Sequence, residues 1–123
     1  MKGILLVGAG GFVGAALRYA VSTWFVQHTA SWRFPAVTFL VNVLGCLAAG
    51  ILMALATKQG FFSPNTRLVL FFGLLGGFTT FSAFGLEAVH LIQRQEFFCA
   101  ALYVFGTVLA GLVALWLGMS IVR

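Results

Sequence analysis

Apolar residues run through this chain in four long continuous stretches, with short polar interruptions between them. The first run covers about residues 3–25 and stops before Gln27-His28-Thr29-Ala30-Ser31. The second covers residues 35–56, opening at Pro35, a residue suited to the first turn of a helix. Lys58-Gln59-Gly60 and Ser63-Pro64-Asn65 then mark a loop, with Ser63 or Asn65 available to cap the next helix. The third run spans residues 66–92 and the fourth residues 97–121. A bilayer-spanning helix takes about 20 apolar residues, so four fit this length and five would leave almost no loop. A membrane β-barrel would need segments of about ten residues alternating apolar and polar, whereas these runs are unbroken. The pattern predicts an all-α membrane protein of four transmembrane helices in a single membrane domain over residues 1–123.

Composition sharpens that picture. Of 123 residues, 62% are hydrophobic and 7% charged, against about 25% charged in an ordinary soluble domain. Nine charged side chains cannot cover a globule of this size in water, which excludes the soluble enzymes. No enzymatic activity is expected. The net charge of +5 would suggest nucleic acid in a soluble protein, but seven bases spread along the chain form no patch. In a membrane protein they serve topology or draw anions towards an opening. Lys2 precedes an apolar stretch that continues through Gly10, Gly11 and Gly14 to Phe25 without a convincing cleavage site, so it reads as a span and not as a signal peptide. Cys46 and Cys99 lie in or beside apolar runs and read as packing residues.

With four spans, Lys2, Lys58, Arg67 and Arg123 share one side of the membrane. Arg33 and Arg94 lie on the other, joined by Arg18 if its side chain snorkels that way. Four against three is almost no bias. Such a chain either inserts both ways round, which would allow antiparallel dimers, or carries a weak bias of unknown sign.

Several residues carry chemistry. Gly8-Ala9-Gly10-Gly11-Phe12-Val13-Gly14 superficially resembles a dinucleotide fingerprint, but Val13 occupies the third glycine position and no acid follows before Glu87. Gly10 with Gly14, and Gly11 with Ala15, instead form a four-residue small-side-chain repeat that admits a close neighbouring helix. Arg18 lies inside the first span, either snorkelling beside Tyr19 or standing as a fixed positive charge at the mouth of an aqueous vestibule. Asn42, the amide of the second span, shares a helical face with Gly45, Cys46, Ala49 and Met53. It must find a hydrogen-bond partner there or line a path for ions.

The densest signal is Gly73-Leu74-Leu75-Gly76-Gly77-Phe78-Thr79-Thr80-Phe81-Ser82-Ala83-Phe84-Gly85. Paired glycines followed by paired β-branched threonines are poor helix formers, so a break is expected in the third span. A broken membrane helix persists only where protein or a cavity satisfies its freed backbone groups, and freed carbonyls are natural ligands for Na⁺. Phe81 and Phe84, three residues apart, share a face beside this break and are interleaved with Thr80 and Ser82. The positive edge of such rings can contact an anion. In the fourth span Tyr103, Thr107 and Gly111, continuing through Ala114 and Gly118, form a narrow face with two hydroxyls. Glu87 and His90 make half of a metal motif without a second copy, so an interfacial carboxylate pairing with Arg94 or His90 is expected instead.

Three blocks together resemble the Fluc (CrcB-type) fluoride channels: Gly10-Gly11-Phe12-Val13-Gly14-Ala15-Ala16-Leu17-Arg18-Tyr19, Phe39-Leu40-Val41-Asn42-Val43-Leu44-Gly45, and Gly76-Gly77-Phe78-Thr79-Thr80-Phe81-Ser82-Ala83-Phe84. The resemblance implies a multi-pass channel of the bacterial inner membrane through which fluoride leaves the cytoplasm. It also implies an antiparallel, dual-topology homodimer with two pores and a structural Na⁺ at its centre. Asn42, Phe81, Phe84, Tyr103 and Thr107, with Thr80 and Ser82 beside them, would line the fluoride path. Arg18 would be the vestibule charge, and the carbonyls of Gly76 and Thr79 would hold Na⁺. Ala83, Cys46 and Gly111 depart from the threonine and serines common at these places, which weakens the polar track at its ends. The rival class is a small dual-topology proton-coupled drug exporter. That class normally needs a carboxylate deep in the membrane, for which Glu87 is the one candidate. Expected partners are fluoride, membrane lipid and a second copy, with no nucleic acid.

Overall fold

A computed structural model describes residues 1–58 and 60–122. Four helical segments in it are long and apolar enough to cross a bilayer: Lys2–Thr29, Ala36–Ala56, Pro64–Gln93 and Phe97–Val122. The first is α1 (Lys2–Thr29) and the second α2 (Ala36–Ala56). The third span is composite, with α3 (Pro64–Arg67), a π-wound stretch (Leu68–Leu75), α4 (Gly76–Phe78) and, after a break, α5 (Phe81–Gln93). The fourth is α6 (Phe97–Val122).

α1 continues past Phe25 into the polar turn. His28 Nδ1 and Thr29 Oγ1 bond back to the carbonyls of Trp24 and Phe25, both at 3.1 Å. At 1.5 Å per residue the helix is about 42 Å long, against about 30 Å of hydrocarbon, so its polar end stands in the headgroup layer. Pro35 sits just before α2, not in its first turn. Ser63 is the cap of the third span, its Oγ accepting from the Thr66 amide at 3.2 Å, with Pro64 in the first turn. Arg67 ties this loop to the end of α2 by donating through Nη2 to the Ala56 carbonyl at 2.7 Å, a basic side chain on a helix C-terminus.

Backbone proximity organises the packing. α1 runs against the π-wound stretch and α4, and α2 runs against α6. At the first seam a Cβ on Gly14 would fall onto the Leu74 carbonyl oxygen, and one on Gly73 would come within 2.9 Å of Gly10 Cα. One on Gly77 would lie 2.5 Å from the Gly11 carbonyl oxygen. At the second seam, a Cβ on Gly50 would strike the Leu115 carbonyl and one on Gly118 the Leu47 carbonyl. These are the small-residue contacts by which helices associate in lipid, where apolar side chains gain little by leaving the tails.

The buried cluster lies towards the end where α5 turns into α6. Ala88, Leu91, Ala100 and Tyr103 form its centre, packed by Phe34, Phe39, Phe84, Cys99 and Val104. Elsewhere the outer surface is apolar, with Ile4, Phe12, Leu109 and Trp116 all exposed.

Candidate functional site

The third span breaks in its middle. Thr79 (φ −81°, ψ 156°) and Thr80 (φ −148°, ψ 116°) are extended, between the end of α4 and the start of α5. The paired glycines, expected to join the unwound turn, remain helical. Gly77, lacking a side chain, serves the seam with α1, and the β-branched threonines alone leave the helix.

Asn42 holds the break. Its Oδ1 accepts from the Thr80 amide at 2.8 Å, and its Nδ2 donates to the Thr80 carbonyl at 2.9 Å. One side-chain amide thus takes the place of a peptide partner for a residue that has left the helix. Thr80 in turn caps α5, with its Oγ1 accepting from the Ala83 amide at 3.2 Å. Thr79 Oγ1 donates back to the Leu75 carbonyl at 2.8 Å. A Cβ on Gly45 would collide with the Thr79 methyl, so the glycine one turn after Asn42 makes room for the break.

The break leaves the carbonyls of Gly76, Gly77, Phe78 and Thr79 without their helical donors. The Thr80 amide, which would serve Gly76 four residues back, goes to Asn42, and the Ala83 amide, which would serve Thr79, goes to the Thr80 hydroxyl. Asn42, Gly45, Cys46, Ala49, Leu75, Thr79, Thr80 and Phe81 line an open cavity of about 320 Å³ at the break.

A second polar centre joins three elements. Glu87 on α5 accepts from Thr38 of α2 at Oε1 and from Tyr103 of α6 at Oε2, both at 2.8 Å. The expected pairing of Glu87 with Arg94 or His90 is therefore wrong. Glu87 faces the α2–α6 side of α5, whereas His90 and Arg94 are exposed. The Arg33 Nε–Glu96 Oε1 contact at 4.0 Å is the carboxylate–guanidinium pair among the described residues. Tyr103 is fully buried (0% exposed), with the Phe84 ring 5.2 Å away. Sequence reasoning missed this centre because Thr38 is an unremarkable threonine near a helix start. Only the register between α2 and α5 brings it to the carboxylate.

Arg18 lies eleven residues before the end of α1 at Thr29, about 16 Å by helix rise. With Tyr19, Ser22, Thr38, Thr80 and Ala83 it lines a groove of about 240 Å³. A second depression shares Tyr19, Ser22 and Thr38 and reaches Glu87. The guanidinium stem thus stands in a polar groove between α1, α2 and the break.

The remaining sequence-derived residues divide. Phe84 joins the buried cluster, whereas Phe81, its ring 5.7 Å away, is 83% exposed. Ser82 is exposed, its Oγ 3.3 Å from Thr80 Oγ1. Thr107 Oγ1 is buried without a hydrogen-bond partner, and the rest of its face (Tyr103, Gly111, Ala114, Gly118) is buried too. Cys46 and Cys99 are half-buried and unpaired with each other. Among the described residues no cluster of His, Cys, Asp and Glu could hold a metal ion.

Fold and site together define a class: a small four-span membrane protein whose third span is broken at mid-membrane and latched by an asparagine. Residues 5–119 match the family described as CrcB-like protein, Camphor Resistance (CrcB), and the chain belongs to that family. It is 46% identical to the fluoride-specific ion channel FluC of Methylobacillus flagellatus, over 100% of this chain and 96% of the relative. It is 44% identical to the protein of that name in Chlorobium chlorochromatii (98% and 92% covered) and 40% identical to that of Chloroflexus aurantiacus (100% and 97%).

Proposed function

We propose that this chain is the subunit of a fluoride-selective channel that lets fluoride leave the cytoplasm passively and so lowers its toxicity. Membership in a family with full-length relatives named as fluoride-specific channels carries the reading. The exporter alternative finds no support among these relatives. Fluoride holds its water tightly, so a narrow path must offer hydrogen-bond donors in place of that hydration. Asn42 keeps one amide proton beyond the one bonded to Thr80. The Thr107 hydroxyl is buried and unpartnered, while the Tyr103 proton is engaged by Glu87. Thr80 and Ser82 hydroxyls and the edges of Phe81 and Phe84 extend the series. Arg18, too deep in α1 to rely on snorkelling alone, supplies positive potential in the groove that leads to Thr80.

The working unit in this proposal is an antiparallel homodimer in the bacterial inner membrane. An exposed Phe81 and an open cavity at the break are features that a second copy would complete, and the basic residues are nearly balanced across the membrane. A structural Na⁺ fits the same place. The carbonyls of Gly76 and Thr79 lack their helical donors, and oxygen ligands without a nearby carboxylate suit a monovalent cation. When bound, the ion would supply a fixed positive charge and tie the two subunits together.

The test is efflux from liposomes containing purified protein, followed with a fluoride electrode. With valinomycin and K⁺ balancing charge, fluoride should leave rapidly and chloride far more slowly. Flux that requires a proton gradient and ignores imposed voltage would refute the channel. Replacing Na⁺ with a large organic cation should lower dimer stability or flux, and no change in either would remove the ion from the account.

A further inference from the structure

We infer that Phe34, in the loop between α1 and α2, is a positioning residue that fixes the Tyr103 side chain and thereby tunes fluoride conduction; the inference rests on the reading that Tyr103 borders the fluoride path. The loop is short and exposed from Ala30 to Arg33, yet Phe34 is half-buried. Its backbone is held locally. Pro35 has φ −76° and ψ 73°, and the Ala36 amide donates to the Phe34 carbonyl at 2.8 Å. Those are the marks of an inverse γ-turn, here with φ pre-set by the proline ring. The turn delivers the Phe34 ring into the buried cluster, where it meets Tyr103 edge-to-face at 5.4 Å and 90°. It meets Phe39, on the first turn of α2, at 5.5 Å and 71°.

Tyr103 consequently has two aromatic neighbours, Phe34 at 5.4 Å and Phe84 at 5.2 Å. A tyrosine ring turns about two bonds, and neighbouring rings limit both. With the ring so confined, the hydroxyl is carried to Glu87 Oε2 at 2.8 Å, and Glu87 is fixed from the other side by Thr38. The ring pairs of Phe34 are with Tyr103 and Phe39, so the inferred effect on conduction passes through the Tyr103 ring. It is also the one member of the cluster that belongs to a loop. Its removal would leave α2, α5 and α6 intact while giving the tyrosine room to turn.

The experiment measures fluoride and chloride efflux from liposomes holding the full-length protein as wild type, Phe34→Leu, Phe34→Tyr, Tyr103→Phe and the Phe34→Leu/Tyr103→Phe double variant. Phe34→Leu should lower fluoride flux by about fivefold, the scale of one aromatic contact, and narrow the fluoride-to-chloride ratio. Phe34→Tyr, which keeps the ring edge, should conduct like wild type. In the Tyr103→Phe background Phe34→Leu should add nothing, because the group it positions is gone. If Phe34→Leu is not monodisperse on size exclusion, Phe34→Met replaces it, since an unbranched side chain fills irregular space. Wild-type flux in Tyr103→Phe would overturn the reading beneath the inference. A loss in Tyr103→Phe with wild-type flux in Phe34→Leu, or with additive losses in the double variant, would overturn the inference alone.

Discussion

Within one span, Gly73–Gly77 and Thr79–Thr80 lie two residues apart and solve opposite problems. The glycine stretch keeps its helical winding and presents bare backbone to α1, so that two helices touch main chain to main chain. The threonine pair abandons the helix, and Thr80 hands its amide and carbonyl to Asn42 of α2. The seam is made by leaving side chains out, and the break by supplying one side chain with a donor and an acceptor. Flexible residues are therefore not where the chain unwinds. A membrane helix unwinds where a neighbour can satisfy what is released.

The seam predicts the largest effects. Gly14→Leu would drive a side chain into the Leu74 carbonyl and the Phe78 amide, both backbone groups that cannot yield. Overpacking of this kind costs about 3 kcal/mol or more, and folded, monodisperse protein should be nearly lost on size exclusion. Gly8→Ala, on the same helix but with nothing within 4 Å of the added Cβ, should leave yield unchanged. Equal loss in both variants would mean that the seam is not the sensitive contact.

The polar centre predicts an intermediate effect on flux with a smaller one on folding. Glu87→Gln keeps one carbonyl oxygen but turns the other acceptor into a donor facing a hydroxyl. Thr38 or Tyr103 then loses the acceptor for its hydroxyl proton, at about 1–3 kcal/mol. Fluoride efflux should fall by about tenfold while the protein stays monodisperse. A rise in flux would show instead that the carboxylate acts as an electrostatic barrier.

Thr107→Val predicts the smallest change and the most discriminating one. The substitution preserves shape and removes a buried hydroxyl without a partner, so thermal stability should hold or rise by up to about 1 kcal/mol. Fluoride flux should nevertheless fall a few-fold. Unchanged flux with raised stability would make this hydroxyl a packing defect and not a fluoride donor.

Much of this contrast was legible beforehand, though not all for the right reason. Continuous apolar runs identify the spans because a bilayer forces length and composition together. The four-residue repeat of Gly10 and Gly14 announces a close helix partner, and the third span proves to be that partner. The break follows from Gly76-Gly77-Phe78-Thr79-Thr80, yet propensity spreads it over all five residues, while the structure confines it to the two threonines. The π-wound stretch Leu68–Leu75 leaves no trace in periodicity, since a uniformly apolar run has no phase to shift. Contacts between residues far apart in the chain were least accessible: Asn42 offered only a choice between a packing bond and a path-lining donor. Thr38 and Phe34 gave no signal until the helices were set in register.

The claim on which the rest turns is that Asn42 maintains the break that shapes the ion path. Asn42→Ala leaves the Thr80 amide and carbonyl without their partner, which costs about 1–3 kcal/mol for each group and is opposed by the glycine seams on both faces of the bundle. The decisive measurement is fluoride efflux per channel in liposomes, on Asn42→Ala protein shown to be monodisperse. The account predicts flux below about a tenth of wild type, equivalent to 1.4 kcal/mol or more, in whatever monodisperse protein is recovered. Wild-type flux in that variant would contradict it.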